Sequence, residues 1–297
     1  MMLFFPGLAS SQSVAQGEPR EIVDGLGRTV RVEHAAQRVI ALYGGFNEIL
    51  DAMGIAQRII ARTSNETFPP CILNKPGIGT HMRPNLELIT GLAPDLVLQL
   101  AGRKTAADTV RQLEERGIHV AAFHPSSFEE LFDAIQKIGV LTGEEAAASR
   151  LVAEMDGRLS AVKSQLGTVP HRPSVFFEIR SPNLLCAGQG GIVNDVINRA
   201  GGRNCVQSER KIVRMGEEAL VGLNPEVYVV QRGPMNTRPQ PLEERSLYRT
   251  LRAVQDGRVL FVDERLFSRP GPRLVEAVEQ LARFLYPEKM RKNRIKE

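Results

Sequence analysis

The sequence predicts an α/β protein of two lobes, each built on a mainly parallel sheet flanked by helices, with one long helix bridging them and a ligand cleft between. Three observations predict it. Short continuous apolar runs alternate with helix-periodic stretches, the pattern of parallel strands buried on both faces. A long helical passage interrupts that alternation at mid-chain, and the alternation resumes beyond it. Stretches 85–97 and 216–228 match without a gap: Glu87 aligns with Glu218, Gly91 with Gly222, Leu92 with Leu223, Pro94 with Pro225, and Asp95 with Glu226.

The central passage opens with overlapping capping boxes, Ser126 with Glu129 and Ser127 with Glu130, followed by apolar Phe128, Leu131, Phe132, Ile135 and Ile138. Thr142-Gly143-Glu144-Glu145 then starts a second helix, whose stripe of Leu151, Met155, Leu159, Val162 and Leu166 runs until Gly167 and Pro170 stop it. At 1.5 Å per residue, residues 144–166 reach about 35 Å, enough to span two lobes. A helix lying along one domain is the alternative.

In chain order, residues 21–30 read as a hairpin around a Gly-rich turn. Strands follow at 38–43, 58–61, 95–100 and 119–123, with helices at 46–53, 86–91 and 105–116. Past the bridge come strands at 174–179, 227–230 and 259–262 and helices at 192–200, 217–222 and 273–286. In both repeats a short helix ends at Gly, a Pro blocks its continuation, and a buried strand follows. The domain limits are 18–125 for the N-terminal lobe, 126–169 for the helical segment and 170–288 for the C-terminal lobe. Residues 1–17 read as the end of an export signal or a disordered leader, with apolar Leu3-Phe4-Phe5 and a small-x-small Ser13-Val14-Ala15. Residues 289–297 form a basic tail.

At 297 residues the chain can bury a sizeable core, and its 42% hydrophobic and 24% charged content are those of a globular protein. The net charge of +4 is dispersed, which excludes a nucleic-acid partner. Cys71, Cys186 and Cys205 follow no metal-ligand spacing; a disulfide between Cys186 and Cys205 is an option that leaves one thiol over.

No nucleophile elbow, Walker loop or His-Glu-x-x-His is present, so there is neither a catalytic constellation nor an implied cofactor. Gly188-Gln189-Gly190-Gly191 reads as a tight turn rather than a phosphate cradle. The strand ends carry the candidate contacts, because ligands of open α/β sheets bind beyond the carboxyl ends of the strands. Tyr43, His124, Arg180 and Arg232 end or follow strands, Arg238 and Arg269 occupy the next loops, and Arg83 and Arg214 complete the set. Converging guanidiniums suit an anionic ligand; each alone reads equally as a solvated loop residue or a lobe-closing ion pair. His81 reads as a contact to a bulky ligand or a loop residue, and Met82, Met215 and Phe267 as apolar surface, with Phe46 divided between cleft and core. A bare metal ion needs about four N, O or S ligands, and the second-half loops supply none. Glu87 and Glu218 each occupy the first turn of a short helix, favourable to the helix dipole, yet at equivalent sites on opposite lobes.

The chain from residue 38 to 287 resembles the helix-backbone class of solute-binding proteins of ABC importers, the group that takes up ferric siderophores, haem and cobalamin. The matching blocks are Val23-Asp-Gly-Leu-Gly-Arg-Thr-Val, Arg38-Val-Ile-Ala-Leu, Asn85-Leu-Glu-Leu-Ile, Gly190-Gly-Ile-Val-Asn-Asp-Val and Arg269-Pro-Gly-Pro-Arg-Leu. The resemblance implies a monomer that captures a metal chelate between its lobes and docks on a permease dimer through Glu87 and Glu218. Haem binders of the class carry a tyrosine where this chain has Thr80 and His81, and cobalamin binders a tryptophan, of which there is none. With no lipobox cysteine, a free periplasmic protein is expected. The arginines favour an anionic iron(III) chelate, with a corrinoid, haem or an oxyanion such as molybdate as alternatives. An α/β enzyme working in the same cleft is the reading from another class.

Overall fold

The computed structural model describes residues 18–102 and 104–290; the leader 1–17 and all but the first two residues of the basic tail 289–297 lie outside the described residues. β1 (Arg20–Val23) and β2 (Thr29–Val32) make the expected antiparallel hairpin. Its turn is built on Asp24, whose Oδ1 accepts from the Leu26 and Arg28 amides at 2.9 and 3.0 Å.

β3 (Val39–Ala41) leads into α1 (Gly44–Ala52) and β4 (Ile59–Ala61). A small hairpin of β5 (Gly79–Thr80) and β6 (Arg83–Pro84) precedes α2 (Leu86–Gly91), β7 (Leu96–Leu100), α3 (Lys104–Glu114) and β8 (Val120–Phe123). The first sheet has the order β4-β3-β7-β8, and every pairing in it is parallel. The strand runs Val39–Ala41 and Val120–Phe123 are wholly buried, as strands covered on both faces must be.

Two helices follow, α4 (Phe128–Thr142) and α5 (Glu145–Leu166). Ser127 caps α4 by accepting from the Glu130 amide at 3.2 Å, while the Glu130 carboxylate reaches back to Ser126. Gly143 closes α4 in the left-handed conformation at φ 72°. α5 spans about 33 Å at 1.5 Å per residue. Its start is tied to the first half by Arg58–Glu144 and Arg20–Glu145. Its end is tied to the second half by a bidentate Arg158–Glu279 pair, at 2.9 and 3.0 Å, and by the Lys289 ammonium on the Leu166 carbonyl. It is the bridge, and its buried face is the stripe Leu151, Met155, Leu159, Val162 and Leu166.

β9 (Ser174–Arg180), β10 (Leu185–Ala187), α6 (Ile192–Arg199), β11 (Arg203–Asn204), β12 (Ile212–Arg214), α7 (Glu217–Leu223), β13 (Val227–Arg232), α8 (Arg252–Gln255), β14 (Val259–Asp263), α9 (Glu264–Phe267) and α10 (Leu274–Leu285) complete the chain. The second sheet has the order β12-β10-β9-β13-β14, with β11 on the first residues of β9. β9, β13 and β14 are parallel; β10 and β12 are antiparallel additions of three residues each, too short for any periodic signal. Among the described residues no helix is long and apolar enough to cross a membrane.

Two expectations are corrected. The first repeated helix ends at Gly91 as expected, but α7 runs one residue past Gly222 to Leu223, and the positive-φ positions are Ala93 (45°) and Asn224 (39°). These are equivalent residues immediately before Pro94 and Pro225, and proline disfavours the right-handed helical region for the residue preceding it. Cys186 and Cys205 are free thiols in one buried cluster, burial pushing them up to about 11 and about 12, and Cys71 is free and exposed.

The second half is cross-linked by a fully buried carboxylate. Glu178 accepts from Arg245 Nη1 at 2.6 Å and Nη2 at 3.1 Å and from the Tyr228 hydroxyl at 2.7 Å. Arg245→Ala leaves that carboxylate without its counter-charge and is expected to cost about 3–5 kcal/mol, read as a lowered urea midpoint.

Candidate functional site

The carboxyl ends of both sheets face one cavity of about 410 Å³, walled by both halves. From the first half come Leu42 and Tyr43 beyond β3, Gln99 and Leu100 at the end of β7, Asn65 and Glu66, and His81 and Met82 of the β5–β6 turn. Facing them are Ile179 of β9, the start of α6, Lys211 and Ile212, Gln231 of β13, and Glu264, Arg265, Ser268 and Arg269.

Two seams hold the walls in register. At one edge, Asp195 of α6 accepts from the Phe128 amide at 2.8 Å, and Arg199 pairs with Glu129 and lies over the Phe128 ring. At the other, Arg265 donates to Thr67 at 2.9 Å, Arg269 bonds Glu48 at 3.2 Å and Glu66 at 3.0 Å, and Arg273 binds Glu48 through two nitrogens at 2.9 Å. Glu48 and Glu66 are each 4% exposed and Arg269 9%, so this is a dry interlobe cluster. It requires glycine at 44 and 45. A Cβ at Gly44 would stand 2.2 Å from Arg269 Nη1, and one at Gly45 would stand 2.0 Å from the Pro270 carbonyl oxygen.

Of the expected contacts, Tyr43, His81, Met82 and Arg269 line the cavity. Burial pushes the Tyr43 hydroxyl up to about 12, so it stands as a neutral phenol, edge-on to His81 at 6.4 Å. Arg269 is committed to the seam. The others lie outside the lining. Arg83 is exposed on β6, Arg214 ends β12 in solvent, Arg238 is an exposed loop residue, and Arg232 lies over Phe261 at 3.9 Å. Arg180 and Arg232 each follow a residue that does face the cavity, Ile179 and Gln231, and successive strand residues point to opposite faces. Phe267 is fully buried against Phe177, and Phe46 belongs to the core beside Phe123. Met215 packs on the second-half core. His124 is half-buried behind Gly102, where burial and then Lys211 hold its ring below the ordinary imidazole value.

The expected convergence of arginines is therefore not what the cavity contains. Its wall is largely carbon, with neutral Tyr43, Asn65, Gln99, Gln231 and Ser268 and the charged Glu66, Lys211, Glu264, Arg265 and Arg269. Glu66 is offset by Arg269 at 2.8 Å. The turn 188–191 is no cradle: the Gly188 and Gln189 amides donate to the Lys211 and Ser208 carbonyls. Among the described residues no group of three or more His, Cys, Asp or Glu could hold a metal ion.

A family model described as periplasmic binding protein matches residues 39–266. The chain belongs to the periplasmic binding protein family. Over 275 residues this binding protein is 31% identical to an uncharacterized ABC transporter substrate-binding lipoprotein, YvrC, of Bacillus subtilis, covering 91% of this chain and 86% of that one. It is 26% identical to a cobalamin-binding protein of Halobacterium salinarum, over 87% of this chain and 72% of the other. In fold alone it is similar to the periplasmic vitamin B12 binding protein BtuF of Vibrio cholerae, with a TM-score of 0.73, 23% identity and coverage of 85% and 97%. Members of the family are transport binding proteins, not enzymes. The two-lobe, helix-bridged class that the motifs resembled is the class of these neighbours.

Glu264 offers a titration test of the cavity floor. It accepts from the Met235 amide at 2.8 Å, and burial raises its carboxyl above the usual 4.5. A raised folded value means stability is full below 4.5 and falls as pH rises through the folded value. Glu264→Gln is expected to melt higher than the parent near pH 7, with the difference vanishing by about pH 4, followed by thermal melts across pH.

Proposed function

We propose that this binding protein is the monomeric, extracytoplasmic solute receptor of an ABC importer, and that its ligand is a corrinoid. The observation that carries the ligand is the wall: mostly carbon and neutral polar groups from both lobes, with Arg269 and Glu66 spent on each other and Lys211, Glu264 and Arg265 the remaining charges. Such a wall suits a bulky, near-neutral metal chelate better than a polyanion, for which unpaired guanidiniums would be needed. The name of the Halobacterium relative supports the same ligand. Iron(III) chelates are the second reading, favoured by Lys211 and Arg265 in the lining.

Thermal-shift and absorbance titrations with cyanocobalamin, ferric siderophores, ferric citrate, haem and molybdate separate these. Cyanocobalamin at about 100 times its dissociation constant is expected to add about 2.7 kcal/mol of stability, with haem and molybdate inert. Stabilisation by an iron(III) chelate alone would move the ligand to the second reading.

Docking is assigned to Glu87 and Glu218. Both are exposed, and among the described residues neither forms an ion pair with a basic side chain. A helix that feeds a parallel strand runs opposite to it, so α2 and α7 start at the cavity end of β7 and β13. Two carboxylates so placed match a two-fold permease. The double variant Glu87→Ala, Glu218→Ala is expected to lose uptake in cells while ligand affinity, measured by titration, stays unchanged.

A further inference from the structure

Gln99 presents a side-chain amide to the cavity from the first lobe. It is 3% exposed, lies at the end of the buried strand β7, faces the cavity, and its side-chain amide meets no donor or acceptor among the described residues. Its opposite number is differently placed. Gln231 donates to the Ile179 carbonyl at 3.5 Å and accepts from the Ser268 hydroxyl, so the second lobe has satisfied its own amide. Next to Gln99 stand Leu100 and Ala101, which offer it nothing, and Leu42 and Tyr43 on the neighbouring strand end. The amide is open to the cavity rather than paired with the wall, so a ligand seated against it must supply its hydrogen bonds.

The chemistry of that missing partner is constrained. A glutamine side chain donates through Nε2 and accepts through Oε1, so its complement must do both. A carboxylate or phenolate oxygen only accepts and would leave Oε1 facing lone pairs; a metal ion would take Oε1 and strand Nε2. A carboxamide matches both atoms with two antiparallel hydrogen bonds. The adjacent Tyr43 hydroxyl, also a neutral group, adds a donor suited to an amide carbonyl and unsuited to balancing a full negative charge.

We propose that Gln99 is a specificity-determining residue and that it reads a peripheral carboxamide of the ligand. This rests on the corrinoid reading above and sharpens it: the first lobe recognises the amide decoration of the macrocycle rather than its metal. A ligand whose periphery carries carboxylic acids is discriminated against because it leaves half of Gln99 unpaired.

The test is calorimetric titration of the full chain with cyanocobalamin and with its b,d,e-tricarboxylic acid, in which three peripheral amides are hydrolysed to carboxylic acids and the nucleotide loop is kept. The parent protein, Gln99→Met of nearly equal volume, and Gln99→Leu are compared. The parent is expected to prefer cyanocobalamin, and both variants to bind it about tenfold more weakly. Unchanged cyanocobalamin affinity in the variants overturns the role of Gln99 and leaves the corrinoid reading intact. Equal affinity of the parent for the two corrins overturns amide recognition. No binding of either corrin by the parent overturns the inference together with the function on which it rests.

Discussion

Two carboxylates that cannot stay buried alone set the geometry of the molecule. Glu48 and Glu66 belong to the first lobe, yet their counter-charges, Arg269 and Arg273, belong to the second. Desolvating a carboxylate costs several kcal/mol unless a well-placed cation compensates, so the lobes meet where the guanidiniums meet both acids. The gain is in register more than in stability, since a buried pair often does no better than carbon of the same shape. Gly44 and Gly45 are the backbone side of the same constraint: any side chain there would push the arginine loop away.

Opposite this cluster the lobes are linked by α5, and a continuous helix has no loose residues at which to bend. Its two ends are anchored by separate ion pairs, one set in each half. With a stiff link behind and a charged seam at one edge, the cavity is largely formed before a ligand arrives. A preformed, mostly apolar site binds without a large ordering cost, which suits a protein that must hold its cargo and then give it up.

Much of this was readable from sequence. The strands, the repeat and the bridging helix were visible because continuous apolar runs and 3.6-residue stripes report burial directly. β10 and β12 escaped because three residues carry no period. The site was half readable: Tyr43, His81 and Met82 follow from strand ends and their loops, whereas Gln231 was overshadowed by its charged neighbour Arg232 and Gln99 lies within an apolar run that reads as strand alone. Arg269 was open to two readings, ligand contact or lobe-closing pair. Its acidic partners lie some 200 residues away, at |i−j| of 221 and 203, and nothing local announces them.

The order of the parts along the chain gives the seam a place in time. All strands of the first sheet fall between residues 39 and 123, all of the second between 174 and 263, and Arg265, Arg269 and Arg273 of the acidic seam come after both. Domains fold largely as units in the order they emerge. A nascent chain can therefore complete one sheet, extend the bridging helix and complete the second sheet while Glu48 and Glu66 still face water. The seam at residues 265–273 is the last fastening to form, so until it does the halves are held only by the bridging helix and by the Asp195 and Arg199 contacts at the other edge.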